Sequence, residues 1–270
     1  MMGKLMGCAT QESNVPTTLP WTGKFPVLVI AHRGLSGLAP ENTVVAFRKA
    51  IEAGADMIEL DVHLSRDGQV VVIHDDTLDR TTGVRGKVAA YSLDQLKQYD
   101  AGSWFNPQFA GERIPTLKEV LDLARGRIPV HIELKKGDTG PFPITDLADR
   151  TVQEVENAGM LNQVLFGSFD ITLIDRVRQR NRSAHVAIIY DQSWSLPQEV
   201  TGGRPIPILS CSGEILNQAN LSRARQQGMK VFVWTLNAEE HMNHFLNLGV
   251  DGIITNHPDR LIEVLRKKYT

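Results

Sequence analysis

The sequence predicts a closed β/α barrel of eight parallel strands with a small insertion. Three observations carry this. Short β-branched runs alternate with helical patterns along the chain, and such alternation implies βαβ units in a parallel sheet. Nine strand candidates can be counted, against the eight that a closed barrel wants. One of the nine is removed by a turn signal. Between Val62 and Val70 lies Ser65-Arg66-Asp67-Gly68-Gln69, centred on Asp-Gly. A turn this tight permits only an antiparallel return, because a parallel one needs about a dozen residues or more. Leu60–Asp75 therefore reads as a hairpin at the barrel rim.

The elements follow in order. Residues 1 to about 25 are polar, rich in Thr, Ser and Pro, and without a period, so they read as a tail. Residues 26–270 read as a single barrel domain. The first strand is Val27–Ala31. A helix opens near Glu41-Asn42-Thr43 with Asn42 as N-cap, presents Val44, Phe47 and Ile51 on its apolar face, and ends at Gly54. The second strand is Met57–Val62, and its hairpin partner is Val70–His74. With a two-residue turn at Asp67-Gly68, partners have numbers summing to 135, so Asp61 faces His74. Residues 76–115 break the rhythm, with a short helical pattern at Leu93–Tyr99 and a loop around Trp104 and Phe105. Long insertions in barrels are usually functional loops, so this small subdomain is expected over the C-terminal mouth, with Trp104 or Phe105 near the pocket. Thr116 to Glu119 is a capping box opening the helix Leu117–Ala124. The remaining strands are Val130–Leu134, Val164–Gly167, His185–Ile189, Ile206–Ser210, Lys230–Thr235 and Gly252–Thr255.

Composition narrows the function classes. Hydrophobic residues are 42% and charged residues 22%, which excludes disorder as the main state. The net charge is −2, from 29 basic and 31 acidic residues, a poor match to a general nucleic-acid or anionic-membrane binder. The apolar runs are far shorter than the roughly 18 residues of a membrane span. Two cysteines, Cys8 and Cys211, make no disulfide framework, so a reduced cytoplasmic setting is expected. Leu5-Met6-Gly7-Cys8 has the look of a lipid-attachment box but lacks an apolar run ahead of it, which leaves lipid anchoring as the lesser alternative. Oligomeric state is not readable.

Four strand ends carry chemistry. His32-Arg33-Gly34 follows the first strand and offers a base, a planar fork of donors for phosphate or carboxylate, and a sharp turn. Glu59 and Asp61 share one face of the second strand. Their neighbours Ile58, Leu60 and Val62 are apolar and face the outer helices, so both carboxylates point into the barrel, where uncompensated charge is costly. His74-Asp75 ends the hairpin. In His131-Ile132-Glu133-Leu134-Lys135, alternation puts His131, Glu133 and Lys135 on one face. Glu59, Asp61 and Glu133 make a hard, all-oxygen set that suits one Mg²⁺ or Ca²⁺ and argues against Zn²⁺. Trp234, near the end of its strand, is either core or a pocket wall. Ser168 and Asp170 lack a nucleophile-elbow pattern.

These pieces resemble the glycerophosphodiester phosphodiesterases, in particular their smaller bacterial, cytoplasmic-type members. The resemblance rests on His32-Arg33-Gly34, Ala39-Pro40-Glu41-Asn42-Thr43, Glu59-Leu60-Asp61-Val62, His74-Asp75, Ala101-Gly102-Ser103-Trp104-Phe105, Ile132-Glu133-Leu134-Lys135, Val233-Trp234-Thr235-Leu236-Asn237 and Asp251-Gly252-Ile253-Ile254-Thr255, in family order. It implies a TIM barrel that hydrolyses glycerophosphodiesters to sn-glycerol 3-phosphate and an alcohol. His32 and His74 would be the acid and base, in either order. Glu59, Asp61 and Glu133 would hold the cation. Arg33, Lys135, Trp234, Trp104 and Phe105 would contact substrate. Both a cyclic phosphate intermediate and direct attack by water fit. The rival readings are a phosphodiesterase acting on lysophospholipids, a non-catalytic phosphodiester-binding barrel, and an unrelated barrel enzyme such as a sugar-phosphate isomerase.

Overall fold

The protein is described here by a computed structural model covering residues 21–192 and 201–269. Nine strands form one sheet: β1 (Leu28–Ala31), β2 (Met57–Leu64), β3 (Val70–Val72), β4 (Val130–Leu134), β5 (Val164–Ser168), β6 (His185–Tyr190), β7 (Ile208–Ser212), β8 (Lys230–Trp234) and β9 (Gly252–Thr255). All neighbours pair in parallel except β2 with β3. The β1–β2 pairing closes the ring, so eight parallel strands make the barrel and β3 stands outside it. This is the (β/α)8 barrel that the alternation and the Asp-Gly turn imply.

Alternation along each strand sorts the core into two shells. Ile58, Leu60, Val62, Val130, Ile132 and Leu134 belong to the large shell between sheet and helices, with Phe47, Leu117 and Val120 among the helix residues that meet them. Leu28, Ile30, Met57, Leu165, Ala187, Ile208, Phe232 and Ile254 fill the barrel's interior. Period-2 geometry then carries Glu59 and Asp61 inward, two and four residues after Met57. A third cluster, of Val71, Ile73, Leu78, Val88, Leu96, Ala101 and Ile114, ties the insertion to β3. The helix Leu117–Ala124 opens with the predicted capping box: the Thr116 hydroxyl accepts from Glu119 N at 3.2 Å, and the Glu119 carboxylate accepts from Thr116 N at 2.7 Å.

Four local expectations are corrected. The hairpin is out of register by one residue: Val62 faces Val72 and Leu64 faces Val70, sums of 134, and Ile73 N donates to Asp61 O at 3.0 Å. The turn is longer than two residues because Gly68 N folds back to Ser65 O and Ser65 N donates to Gln69 O. Asp61 therefore opposes Ile73 and not His74. The first helix is Val44–Ala53, and Thr43, rather than Asn42, caps it, its hydroxyl accepting from Ala46 N. Asn42 instead has φ 56° and turns its amide to Asp61. β7 starts two residues late because Pro207 has no N–H for the ladder. Finally, the chain is packed from residue 21 rather than 26. Trp21 is buried against the inner core and donates to Asn162 O at 3.2 Å, since its indole has apolar area to bury and one N–H to satisfy. The remainder of the expected tail, with Cys8, lies outside the described residues. No helix among the described residues is long and apolar enough to cross a membrane.

Candidate active site

The C-terminal ends of the strands open into a cavity of about 110 Å³, lined by His32, Arg33, Glu59, His74, His131, Glu133, Lys135, Phe169, Ile189, Ser210, Trp234, Thr235 and Ile254. The carboxylates of its lining residues Glu59 and Glu133 meet that of Asp61, each bringing an oxygen within 4.8 Å of the others, and all three are buried. Parallel register explains the meeting. Asp61 pairs with Glu133, and Glu59 with His131, across β2 and β4.

The three acids are not equivalent. Burial, then the charges of Asp61 and Glu133, push Glu59 well above the usual carboxylate range. Burial, then Asp61, pushes Glu133 up to about 7. Asp61 goes the other way. Burial opposes its charge, but Arg33, Lys135 and His74, with a hydrogen bond from Asn42 Nδ2 at 2.8 Å, hold it below the normal range. One charge is thus balanced by the protein and two are held back by burial and then by repulsion, both of which a cation at the triad would offset.

Arg33 is placed by an unusual backbone. Its φ is 54° and that of Gly34 is 85°. A Cβ on Gly34 would come within 2.6 Å of the Ala46 backbone, so only glycine permits the turn. The turn aims Arg33 N at Glu59 Oε2 (2.9 Å) and brings Arg33 Nε within 3.3 Å of Asp61 Oδ2. Lys135 Nζ lies 2.7 Å from Glu133 Oε1 and 3.5 Å from Asp61 Oδ1.

The two histidines have different partners. His32 Nδ1 is 2.6 Å from Asn256 Oδ1, so it carries the hydrogen and donates to a neutral amide. Burial, then the Arg33 charge, brings its pKa down to about 4, leaving a neutral ring with Nε2 as acceptor. His74 Nδ1 is 2.7 Å from Asp75 Oδ1. Although burial opposes it, hydrogen bonds from Arg80 and His74 hold the Asp75 carboxyl down at about 2, so His74 donates to a carboxylate. Burial lowers the His74 pKa, while Asp61 and Asp75 work to raise it.

Sequence reasoning missed several supporting residues. Arg80, on the insertion, bonds Asp75 through Nε (2.7 Å) and Glu41 through both terminal nitrogens (2.8 and 2.7 Å), and Glu41 accepts from Arg33 Nη1 at 2.9 Å. A chain of ion pairs therefore runs from Arg33 through Glu41 and Arg80 to Asp75, which accepts the hydrogen bond from His74. Asn256, one residue past the Asp251–Thr255 motif, and Asn42, read as a cap, were within reach of motif reasoning. Arg80 and Phe169 carried no signal. Trp234 walls the cavity, with Phe169 edge-on at 5.9 Å. Trp104 and Phe105 do not line it. Trp104 stacks over Arg80 at 5.8 Å and packs edge-on to Phe105, because its indole donates back to Ala101 O and turns the ring along the insertion.

Residues 32–260 match the profile of the glycerophosphoryl diester phosphodiesterase family. A glycerophosphodiester phosphodiesterase of Caldanaerobacter subterraneus subsp. tengcongensis is 37% identical over 245 residues, which is 89% of this chain and 98% of that protein. One from Bacillus subtilis is 32% identical over 261 residues, covering 90% of this chain and 87% of the relative. Among solved structures, an Oleispira antarctica phosphodiesterase in complex with the product sn-glycerol-3-phosphate superposes with a TM-score of 0.80 at 28% identity, covering 90% and 97% of the two chains. The match spans both histidines, the acidic triad and the two basic residues beside it, and the chain belongs to the glycerophosphoryl diester phosphodiesterase family.

Proposed function

We propose that this protein hydrolyses glycerophosphodiesters to sn-glycerol 3-phosphate and an alcohol, using one divalent cation and two histidines. The observation that carries the reading is the buried triad of Glu59, Asp61 and Glu133 at a cavity also lined by two imidazoles whose Nδ1 atoms are both engaged. The product-bound relative has the same fold. The residues present fit a hard cation. The ligand atoms are all oxygens, they converge, and burial together with mutual repulsion raises two of the three carboxylates. Glu59, Asp61 and Glu133 would hold Mg²⁺ or Ca²⁺, and when bound that ion supplies Lewis-acid polarisation of the phosphate.

The remaining chemistry belongs to side chains. Arg33 and Lys135 neutralise charge that develops on the phosphoryl oxygens. His32, neutral and held by an amide, has Nε2 free to take a proton from the attacking hydroxyl, either that of the glycerol 2-position or of water. As the new P–O bond forms, the bond to the alcohol breaks. His74, whose imidazolium form is matched by the Asp75 carboxylate, delivers a proton from Nε2 to the departing alkoxide. Where the 2-hydroxyl attacks, water then adds to phosphorus and breaks the bond to the 2-oxygen, opening the cyclic phosphate to sn-glycerol 3-phosphate. Asp75 and Arg80 are positioning residues. A reduced, cytoplasmic setting belongs to the same reading. Cys211 is a buried free cysteine whose thiol is pushed up to about 12 by burial, so it has no part in the chemistry.

The test is turnover of glycerophosphocholine. Activity should vanish with EDTA and return with Mg²⁺ or Ca²⁺. Failure to hydrolyse it under any metal condition rejects the substrate class, and full activity after exhaustive chelation rejects the cation.

A further inference from the structure

The floor of the cavity contains polar groups that the proposed mechanism does not use. His131 is 1% exposed, and neither of its ring nitrogens has a hydrogen-bond partner among the described residues. Ser210 is fully buried, and its Oγ is likewise unpartnered. Both line the cavity, from β4 and β7, on different sides of the barrel. Unpaired buried polar groups are rare and costly, and two facing one cavity point to something that completes them there.

The position narrows what that is. His131 lies two residues before Glu133 on β4 and level in register with Glu59, so it sits below Glu133 and Lys135 on the inner face. Its ring packs over Gly167, where an added Cβ would come within 2.5 Å of Nε2. No side chain from β5 can therefore serve it. Leu165, level in register with His131, and Phe232, level with Ser210, belong with Ala187 and Ile208 to the apolar core inside the barrel. Ile189 and Ile254 also line the cavity. The basic residues Arg33 and Lys135 stand higher, at the strand ends, where a phosphate belongs. What reaches the floor is the part of the substrate beyond the phosphate on the glycerol side.

The chemistry of the floor is that of a hydroxyl receptor. A neutral imidazole offers one N–H and one lone pair, and a serine hydroxyl offers both as well. An alcohol is simultaneously donor and acceptor and satisfies both. The isoleucines accommodate methylene. We propose that His131 and Ser210 form a subsite for the terminal hydroxyl of the glycerol moiety and so select glycerol phosphodiesters over diols that lack it. This rests on the substrate class proposed above and adds the residues that read it.

The experiment compares two substrates, sn-glycero-3-phosphocholine and the phosphocholine ester of propane-1,2-diol with the same 2-hydroxyl and no terminal one. A site built to hydrogen-bond a hydroxyl rejects the analogue lacking it, because its own polar groups are left unpaired. The unsubstituted protein should favour the glycerol ester by about 10- to 100-fold in kcat/KM. In Ser210→Ala and His131→Leu that ratio should fall toward one. Ser210→Ala removes a single oxygen, so it remains decisive if His131→Leu does not fold. A ratio near one in the unsubstituted protein overturns the subsite. So does an equal loss on both substrates in Ser210→Ala, which would mean that the floor only holds water. Either result leaves glycerophosphodiester hydrolysis standing. If neither ester is turned over with Mg²⁺ or Ca²⁺ present, the substrate class and the subsite fall together.

Discussion

Replacing Asp75 by Asn removes one charge behind His74 and almost no volume. The carboxylate accepts two hydrogen bonds, from His74 Nδ1 at 2.7 Å and from Arg80 Nε at 2.7 Å. An amide has only one oxygen. Facing Arg80 with it presents NH₂ to His74 Nδ1, which favours the tautomer with its hydrogen on Nε2 but offers nothing to the imidazolium. Facing His74 with it strands Arg80. Either way the charged form of His74 loses its carboxylate partner, a loss of about 1.5–3 kcal/mol, which corresponds to about a 10- to 100-fold drop in kcat. The sign of the pH effect follows from the local charges. Burial lowers the His74 pKa and Asp75 works to raise it, so removing Asp75 lowers it further. The alkaline limb of the kcat profile should move to lower pH. The assay pairs glycerophosphocholine with an ester of the same glycerol phosphate carrying a nitrophenol leaving group, which needs no general acid. The variant should recover most of its rate on the nitrophenol ester. Equal losses on both esters, with an unmoved pH profile, would refute the acid role of His74 and leave Asp75 as a structural partner of Arg80.

Other outcomes follow from the same geometry. In the metal-free protein, Glu133 has a folded pKa of about 7, above its ordinary value of 4.5. A raised acid prefers its proton in the fold, so this contribution to stability is present at low pH and lost as pH rises from about 4.5 through 7. Thermal melts should show Tm declining across that window without metal, and added Mg²⁺ or Ca²⁺ should cancel the decline. A metal-independent slope would argue against the cation site. Gly34→Ala places a Cβ 2.6 Å from the Ala46 backbone at φ 85°, and should cost about 2–4 kcal/mol by denaturant unfolding while abolishing activity. A variant that unfolds like the unsubstituted protein would remove the argument for that turn. Trp104→Ala loses only a partly exposed stack on Arg80, so kcat/KM should change by less than about fivefold. A larger loss on kcat/KM would place Trp104 against substrate after all.

The sequence by itself determined the barrel and the inward acids, because both are written in short-range periodicity. Glu59 and Asp61 alternate with Ile58, Leu60 and Val62, and that pattern admits one orientation once the apolar set faces the helices. Asp67-Gly68 identified β3 as an antiparallel return for the same local reason. The tertiary structure decided whatever depends on elements far apart in sequence. One residue of slip in the hairpin put Ile73, not His74, opposite Asp61, because the turn's hydrogen bonds and not its dipeptide set the register. Arg80 reaches Glu41 and Asp75 only because the insertion folds back over β3, and His32 meets Asn256, 224 residues away, only because β1 and β9 are neighbours in a closed ring. Trp104 looked like a pocket residue by its motif, yet its indole's need for an acceptor turned it onto the insertion's own backbone. The unpartnered nitrogens of His131 could not have been read from its strand. Whether a buried polar group is satisfied depends on the opposite side of the barrel, and that is fixed only when the last strand closes it.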